Sequence, residues 1–273
     1  LDVDLETASE LDDGSEKTGL GGSAAATVAT VSALWATAGL DPVGPRTLRE
    51  RVATAVLAHR AAQGGGSAAD VVACSCGGLS SVGGLDRLPS PRSLDDAAAG
   101  LRGAGGVEIE ALRLPAGLAL EAVGTGRAAR TGPRASRYGR GLDGPDREVL
   151  GTWTEGMEVA TRDLVQALRD GTVEGVRRAF AASGRWLERL GPLVSMPVQT
   201  PRLRLACAVA ARAGAVARVS GAGGGDCAVA LVREDRAVEL RDRWRCAGLR
   251  PLSVGIDTGP RIEQAFDREG GRA

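Results

Sequence analysis

Apolar residues recur at helical spacing through "SAAATVATVSALWATAG", which predicts a helix over residues 23–38 closed by Gly39 and the Asp41-Pro42 pair. The same spacing in "RTLRERVATAVLAHRAA" predicts a second helix over residues 46–62. "QGGGSAADVVACSCGG" follows, where glycines lead into another helix start and Ser67 is placed as its N-cap. Segments 79–83, 107–114 and 117–124 read as strands, two of them with alternating character. Residues 125–147, rich in Gly, Arg and Pro, read as a loop carrying a short helix. Two long helices are expected over 148–170 and 172–190, divided at Gly171, and a further one over 201–213. "AVARVSGAGGGDCAVALV" reads as strand, glycine turn, strand, followed by a helix over 234–247 and a last strand over 250–256. At the other end, "LDVDLET" alternates, so residues 1–13 read as a strand and then a loop.

Strands and helices therefore alternate without a regular βαβ period, which favours an α+β protein over a doubly wound sheet. No internal repeat is visible, and 273 residues suffice for one large domain or two ordinary ones.

Charge narrows the function classes. Lys+Arg and Asp+Glu are both 34, which argues against a general nucleic-acid binder. No apolar run approaches the roughly 20 residues that span a bilayer, and no charged-then-apolar leader stands at the start. The expectation is a soluble cytoplasmic protein without a nucleic-acid or membrane partner. Cys74, Cys76, Cys207, Cys227 and Cys246 are odd in number and scattered, so buried reduced thiols are expected rather than a disulfide framework or a zinc site. Lys17 is the one lysine among 34 basic residues, and it lies two residues before a glycine turn.

That turn, "KTGLGGSAA", opens the first helix, where free backbone N–H groups and the positive helix end favour an anion. It is neither a P-loop, whose lysine follows the last glycine, nor a dinucleotide fingerprint. Ser23 is placed either to cap the helix or to set its hydroxyl on a magnesium ion. A second glycine site, "GGGSAAD", puts Asp70 three residues beyond Ser67 in the first turn of a helix. There it serves either as the acid of a capping-box variant or as a carboxylate that orients a hydroxyl attacking a phosphate. His59, the only histidine, lies 11 residues before Asp70 and reads first as structural. The third site, "VSGAGGGDCAVAL", is too glycine-rich for an ordinary hairpin and suggests close backbone approach to a ligand, with Asp226 placed to stabilise the turn.

Taken in order, these three segments resemble the second motif, the catalytic-aspartate segment and the third motif of the GHMP small-molecule kinases, with details most similar to the phosphomevalonate kinase branch. Lys17 to Ala24, Ala58-His59, Ala62-Gln63-Gly64, Gly66 to Asp70, Thr125-Gly126, Ala129, Thr131 and Ser220 to Cys227 carry the likeness. The resemblance implies a two-lobed α+β fold: a truncated N-terminal lobe like ribosomal S5 domain 2 over 1–115, and a ferredoxin-like α/β-plait lobe over 116–273. It implies ATP and Mg²⁺ as cofactors and a small phosphorylated acceptor. Gly19, Leu20, Gly21, Gly22, Ser23 and Ala24 would cradle the ATP phosphates, with Ser23 on the metal and Lys17 neutralising charge. Asp70 would orient or deprotonate the attacking group. Ser67, Thr125, Gly126, Arg127, Arg130, Thr131, Ser220, Gly221, Gly223, Gly224 and Asp226 would meet the substrate.

Arg134 and Arg137 share a helical face after Pro133, beside Arg127, Arg130 and Arg140, and either meet an anionic acceptor or form a solvated basic face. The sequence departs from the family at Gly22, where a serine is expected, at Arg218-Val219 in place of Lys-Pro, and at Ala68 in place of glycine. A residue at Ala68 that needed φ > 0 would be strained. The family's first motif is expected farther upstream than the 18 residues that precede Gly19. The rival readings are another GHMP kinase, acting on mevalonate or a sugar, and a truncated, non-catalytic nucleotide-binding relative.

Overall fold

The computed structural model describes residues 21–63, 67–102, 104–126, 140, 146–221, 223–225, 227–256 and 259–260. They fall into two compact units, one formed chiefly by residues 23–109 and the other by 110–256.

The first unit is built around helix α2 (Leu48–Gln63). Val52, Ala53, Ala55, Val56 and Leu57 of that helix are buried, so nearly its whole circumference is core. Against it pack Ala24, Val28 and Val31 of α1 (Gly22–Thr37), spaced one turn apart, and Val71 and Val72 of α3 (Ala69–Cys76). Gly39, at φ +72°, ends α1, and the Leu40 N–H returns to the Trp35 carbonyl at 2.9 Å. Two arginines are buried in α2 and bind backbone carbonyls of other segments. Arg51 donates to Gly44 and Ser75, each at 3.4 Å, and Arg60 donates to Leu85 and Leu88. Burial lowers the pKa of both guanidinium groups.

Helix α4 (Leu94–Arg102) has no counterpart in the sequence expectation. It is capped by Ser93, whose Oγ accepts from the Asp96 N–H at 3.1 Å, while the Asp96 carboxylate accepts from the Arg92 N–H at 3.0 Å. Strand β1 (Leu79–Gly83) pairs with β2 (Glu108–Leu112) in a two-stranded sheet.

The second unit carries a four-stranded sheet in the order β4-β5-β3-β6, from β3 (Leu118–Gly124), β4 (Val216–Val219), β5 (Cys227–Arg233) and β6 (Arg250–Leu252). Every pairing is antiparallel. With α7 (Pro201–Arg212) between β3 and β4 and α8 (Ala237–Cys246) between β5 and β6, the path is the strand–helix–strand–strand–helix–strand of a ferredoxin-like plait.

Register explains why both faces of this sheet are apolar. Leu118↔Arg233 and Leu120↔Leu231 place one set of side chains on the face that meets Ala167, Val176 and Phe180. Those three come from α5 (Arg147–Arg169) and α6 (Val173–Leu193), a two-helix layer covering the side opposite α7 and α8. The alternate set, Val123, Ala228, Ala230 and Val232, packs with Leu203, Ala206, Leu240 and Trp244. The Trp244 indole N–H donates to the Ala206 carbonyl at 3.0 Å, tying α8 to α7. The last strand is three residues long, shorter than expected from the sequence, because only Arg250, Pro251 and Leu252 find partners on β3.

Candidate active site

The glycine turn that opens α1 is described from Gly21 onward. Gly21 has φ +82°, and an added Cβ at Gly22 would meet nothing within 4 Å among the described residues, so the described part of the turn presents open backbone. The first turn of α1 holds no acidic residue, which leaves its positive end free of an internal counter-charge. Ala24 points into the core, fixing the helix while Gly22 and Ser23 stay outside. Lys17, Gly19 and Leu20 lie outside the described residues.

Ser23 Oγ accepts from the Gln63 side-chain amide at 3.0 Å and lies 3.5 Å from His59 Nε2. His59 and Gln63 stand one turn apart on α2, so a single helix face meets Ser23 twice. Gln63 was not among the sequence-derived site residues, although its i,i+4 spacing from His59 is readable. Both contacts converge on the oxygen expected to touch magnesium. A hydroxyl oxygen has two lone pairs; the Gln63 amide takes one, and the other is open to that ion or filled according to whether Ser23 donates to His59 or accepts from it. Among the described residues no cluster of three His, Cys, Asp or Glu side chains forms a metal site.

Asp70 is exposed in the first turn of α3, and among the described residues its Oδ1 accepts only from the Val71 N–H, at 3.0 Å. Two local expectations change here. The N-cap is Ala68, not Ser67; Ser67 Oγ reaches the Ala69 N–H only at 3.5 Å, and Asp70 makes no return bond, so the capping-box variant does not form. The cause is the backbone of Ala68, at φ +57° and ψ +18°, which swings Ser67 away from the helix start. The strain expected of alanine at a left-handed position is therefore present.

In the second unit, Thr125 follows β3 with its Oγ1 buried and without a hydrogen-bond partner among the described residues, and Gly126 takes φ +71°. The third glycine segment joins β4 to β5. Gly221, Gly223 and Gly224 have φ of +58°, +69° and +83°, which accounts for glycine at all three positions. The Ser220 N–H donates to the Cys227 carbonyl at 3.0 Å, closing the turn, and the Gly224 N–H donates to the Val198 carbonyl at 2.6 Å. Arg218 of β4 lies over the Phe180 ring at 4.7 Å, and burial lowers its pKa. Arg127, Arg130, Thr131, Pro133, Arg134, Arg137 and Asp226 lie outside the described residues.

The expectation of buried thiols needs one correction. Cys227 is buried and Cys74, Cys76 and Cys207 are half-buried, but Cys246, at the end of α8, is exposed. Among the described residues no helix is long and apolar enough to cross a membrane.

Family models for the GHMP kinases N terminal domain and the GHMP kinases C terminal region match residues 2–78 and 164–249. A phosphomevalonate kinase of Streptomyces sp. (strain CL190) is 33% identical over 260 residues, covering 92% of this chain and 67% of that protein. Among solved structures, a Lin0012 protein from Listeria innocua superposes with a TM-score of 0.77 at 24% identity, over 92% of this chain and 69% of that one. Streptococcus pneumoniae phosphomevalonate kinase gives 0.69 at 22% identity, over 90% and 70%. The same enzyme in complex with phosphomevalonate and AMPPNP gives 0.70 at 23%, over 87% and 68%. At these identities the structural likeness shows the fold.

Proposed function

The chain belongs to the GHMP kinase family of phosphotransferases, and from that premise we propose that it transfers the terminal phosphoryl group of ATP to phosphomevalonate, giving diphosphomevalonate and ADP. The observation that carries this reading is the 33% identity to a phosphomevalonate kinase across 92% of the chain. The complex of the Streptococcus pneumoniae enzyme with phosphomevalonate and AMPPNP supports a nucleotide and a phosphorylated acceptor as the two ligands.

In this reading, the turn at Gly21 and Gly22 and the acid-free first turn of α1 receive the ATP phosphates. Lys17 adds a cation to the same segment. An oxygen of the acceptor's own phosphate attacks the terminal phosphorus as the bond to ADP breaks, so no covalent enzyme intermediate is required. Asp70, exposed and bonded among the described residues only to its neighbour's amide, orients that acceptor. Thr125, Gly126 and the Ser220–Asp226 turn are assigned to the acceptor, with Arg127, Arg130 and Thr131 supplying charge and hydrogen bonds to its anionic groups. Soluble, cytoplasmic operation belongs to this reading.

The test is ADP release by the purified chain with phosphomevalonate, mevalonate, homoserine and sugars offered separately. Turnover with phosphomevalonate alone is expected. Turnover only with another acceptor reassigns the substrate, and ATP binding without turnover on any acceptor favours a non-catalytic relative.

A further inference from the structure

The histidine on α2 has an unusual environment. His59 is 5% exposed, and its Nδ1 is buried with no hydrogen-bond partner among the described residues. Its Nε2 faces Ser23 Oγ at 3.5 Å, and the Gln63 amide donates to the same oxygen at 3.0 Å. The two ring nitrogens of a neutral imidazole share one proton, so this geometry admits two arrangements with opposite consequences for Ser23.

With the proton on Nδ1, a buried N–H has no acceptor among the described residues, and Nε2 takes the Ser23 hydroxyl proton. With the proton on Nε2, the ring donates to Ser23 Oγ, and Nδ1 keeps only a bare lone pair. Orphaned buried N–H donors are rarer in folded proteins than under-satisfied acceptors, because the donor loses its water with no replacement. The second arrangement is the one this burial favours. It also fills Ser23 completely, since two donors then occupy both lone pairs of Oγ and the hydroxyl has only its own proton left to offer.

We propose that His59 and Gln63 are positioning residues that fix Ser23 as a hydrogen-bond donor to a nucleotide phosphate oxygen, rather than as a ligand of magnesium. The inference rests on the reading of the glycine turn as the ATP-phosphate site. Under it, Ser23 recognises phosphate with or without a divalent ion. The neighbouring Gly22, which offers no hydroxyl, leaves Ser23 as the one side-chain donor among the described residues of this turn.

Two measurements on the full chain test it. Because His59 is the only histidine, ¹⁵N labelling yields one unambiguous pair of ring-nitrogen signals. A proton-bearing Nε2 and a bare Nδ1 are expected, and a proton on Nδ1 overturns the proposal. The second measurement is ATP binding by calorimetry, first with excess EDTA and then with magnesium. Ser23→Ala is expected to weaken binding roughly 10- to 100-fold in both conditions, the worth of a hydrogen bond to a charged group. Weakening seen only with magnesium overturns the proposal in favour of a metal ligand. His59→Gln, whose amide extends to about the place of Nε2, is expected to keep wild-type affinity, whereas His59→Phe loses several-fold. Equal affinity in His59→Phe and the parent overturns the positioning role. Should His59→Phe fail to fold, the nitrogen signals of the parent chain still decide. A parent chain that binds no ATP in either condition overturns the reading of the turn itself, an outcome distinct from a wrong tautomer.

Discussion

Ala68 holds a left-handed backbone, φ +57°, two residues before Asp70, and its carbonyl accepts the first bond of α3 from the Val72 N–H at 3.1 Å. The conformation that alanine disfavours is therefore the one that sets where the helix begins and leaves Asp70 exposed in its first turn. Such strain persists where the surrounding structure over-determines it.

Replacing Ala68 tests how that strain is balanced. Ala68→Gly removes about 1 kcal/mol of left-handed strain but gives up a buried methyl worth about 0.8 kcal/mol. The expected net change is within about 0.5 kcal/mol. Ala68→Val puts a β-branched side chain at positive φ in a site only 2% exposed, and is expected to lose about 2–4 kcal/mol. Urea denaturation midpoints measure both.

For Asp70, charge matters more than shape. Asp70→Asn keeps the size of the side chain and removes its negative charge, at a position where the carboxylate accepts from the adjacent amide. Under the proposed role, kcat is expected to fall by roughly 100- to 10 000-fold, with ATP affinity and unfolding midpoint unchanged. Unaltered turnover would remove Asp70 from the mechanism.

Much of this architecture was legible. The division at Gly171, with φ +64°, and the glycine turn between β4 and β5 both follow from residues that alone tolerate those angles. Ser67-x-x-Asp70 and Ser93-x-x-Asp96 are alike as strings, so the sequence leaves a capping box open as one of two readings of Asp70. What separates them is Ala68, whose left-handed backbone breaks the first, while at the second the Asp96 N–H reaches Ser93 Oγ at 3.1 Å and the Asp96 carboxylate accepts from the Arg92 N–H at 3.0 Å. The contacts of Ser23 with α2 were beyond sequence reading, since they span 36 and 40 residues and depend on how α1 lies against α2.

Glu121 points from the middle of β3 toward α8, and its carboxylate, 8% exposed, meets Arg241 Nη1 at 2.6 Å. Arg241→Ala would leave a buried carboxylate unpaired, at an expected loss of about 2–4 kcal/mol, discounted because Arg241 itself is partly in solvent. Arg243→Ala, which breaks an exposed pair with Glu239, is expected to cost under about 0.5 kcal/mol. Replacing Glu121 and Arg241 together by leucine is expected to restore most of the loss. Denaturant unfolding of the three variants distinguishes a buried pair from surface ornament.

Cys207 gives an alkaline signature. Burial, with Glu188 adding negative charge and Gln199 opposing through a hydrogen bond, pushes its thiol up to about 11. Unfolding frees the thiol to lose its proton once pH passes its ordinary value of 9.0, while the folded thiol still holds it. Its contribution to stability is therefore intact below that value and is lost as pH rises toward about 11. Cys207→Ala is expected to flatten this part of the unfolding profile. In the parent chain at pH 8, exposed Cys246 is expected to react first with a thiol reagent and buried Cys227 last.

The third glycine segment is held by close backbone approach as well as by its angles, and two substitutions separate these causes. At Gly223, φ is +69° and an added Cβ would lie 2.3 Å from the Val198 carbonyl oxygen, the same oxygen that accepts from the Gly224 N–H. At Gly221, φ is +58° but nothing among the described residues lies within 4 Å of the added atom. Gly221→Ala is expected to cost about 1 kcal/mol, the left-handed penalty alone. Gly223→Ala adds a clash with fixed backbone and is expected to cost about 2–4 kcal/mol. The two unfolding midpoints give the difference directly. If the segment also serves the acceptor, Gly223→Ala raises the KM for phosphomevalonate more than the KM for ATP, because the turn is displaced from Val198 while the start of α1 is untouched. Equal effects on the two substrates would assign the turn to stability alone.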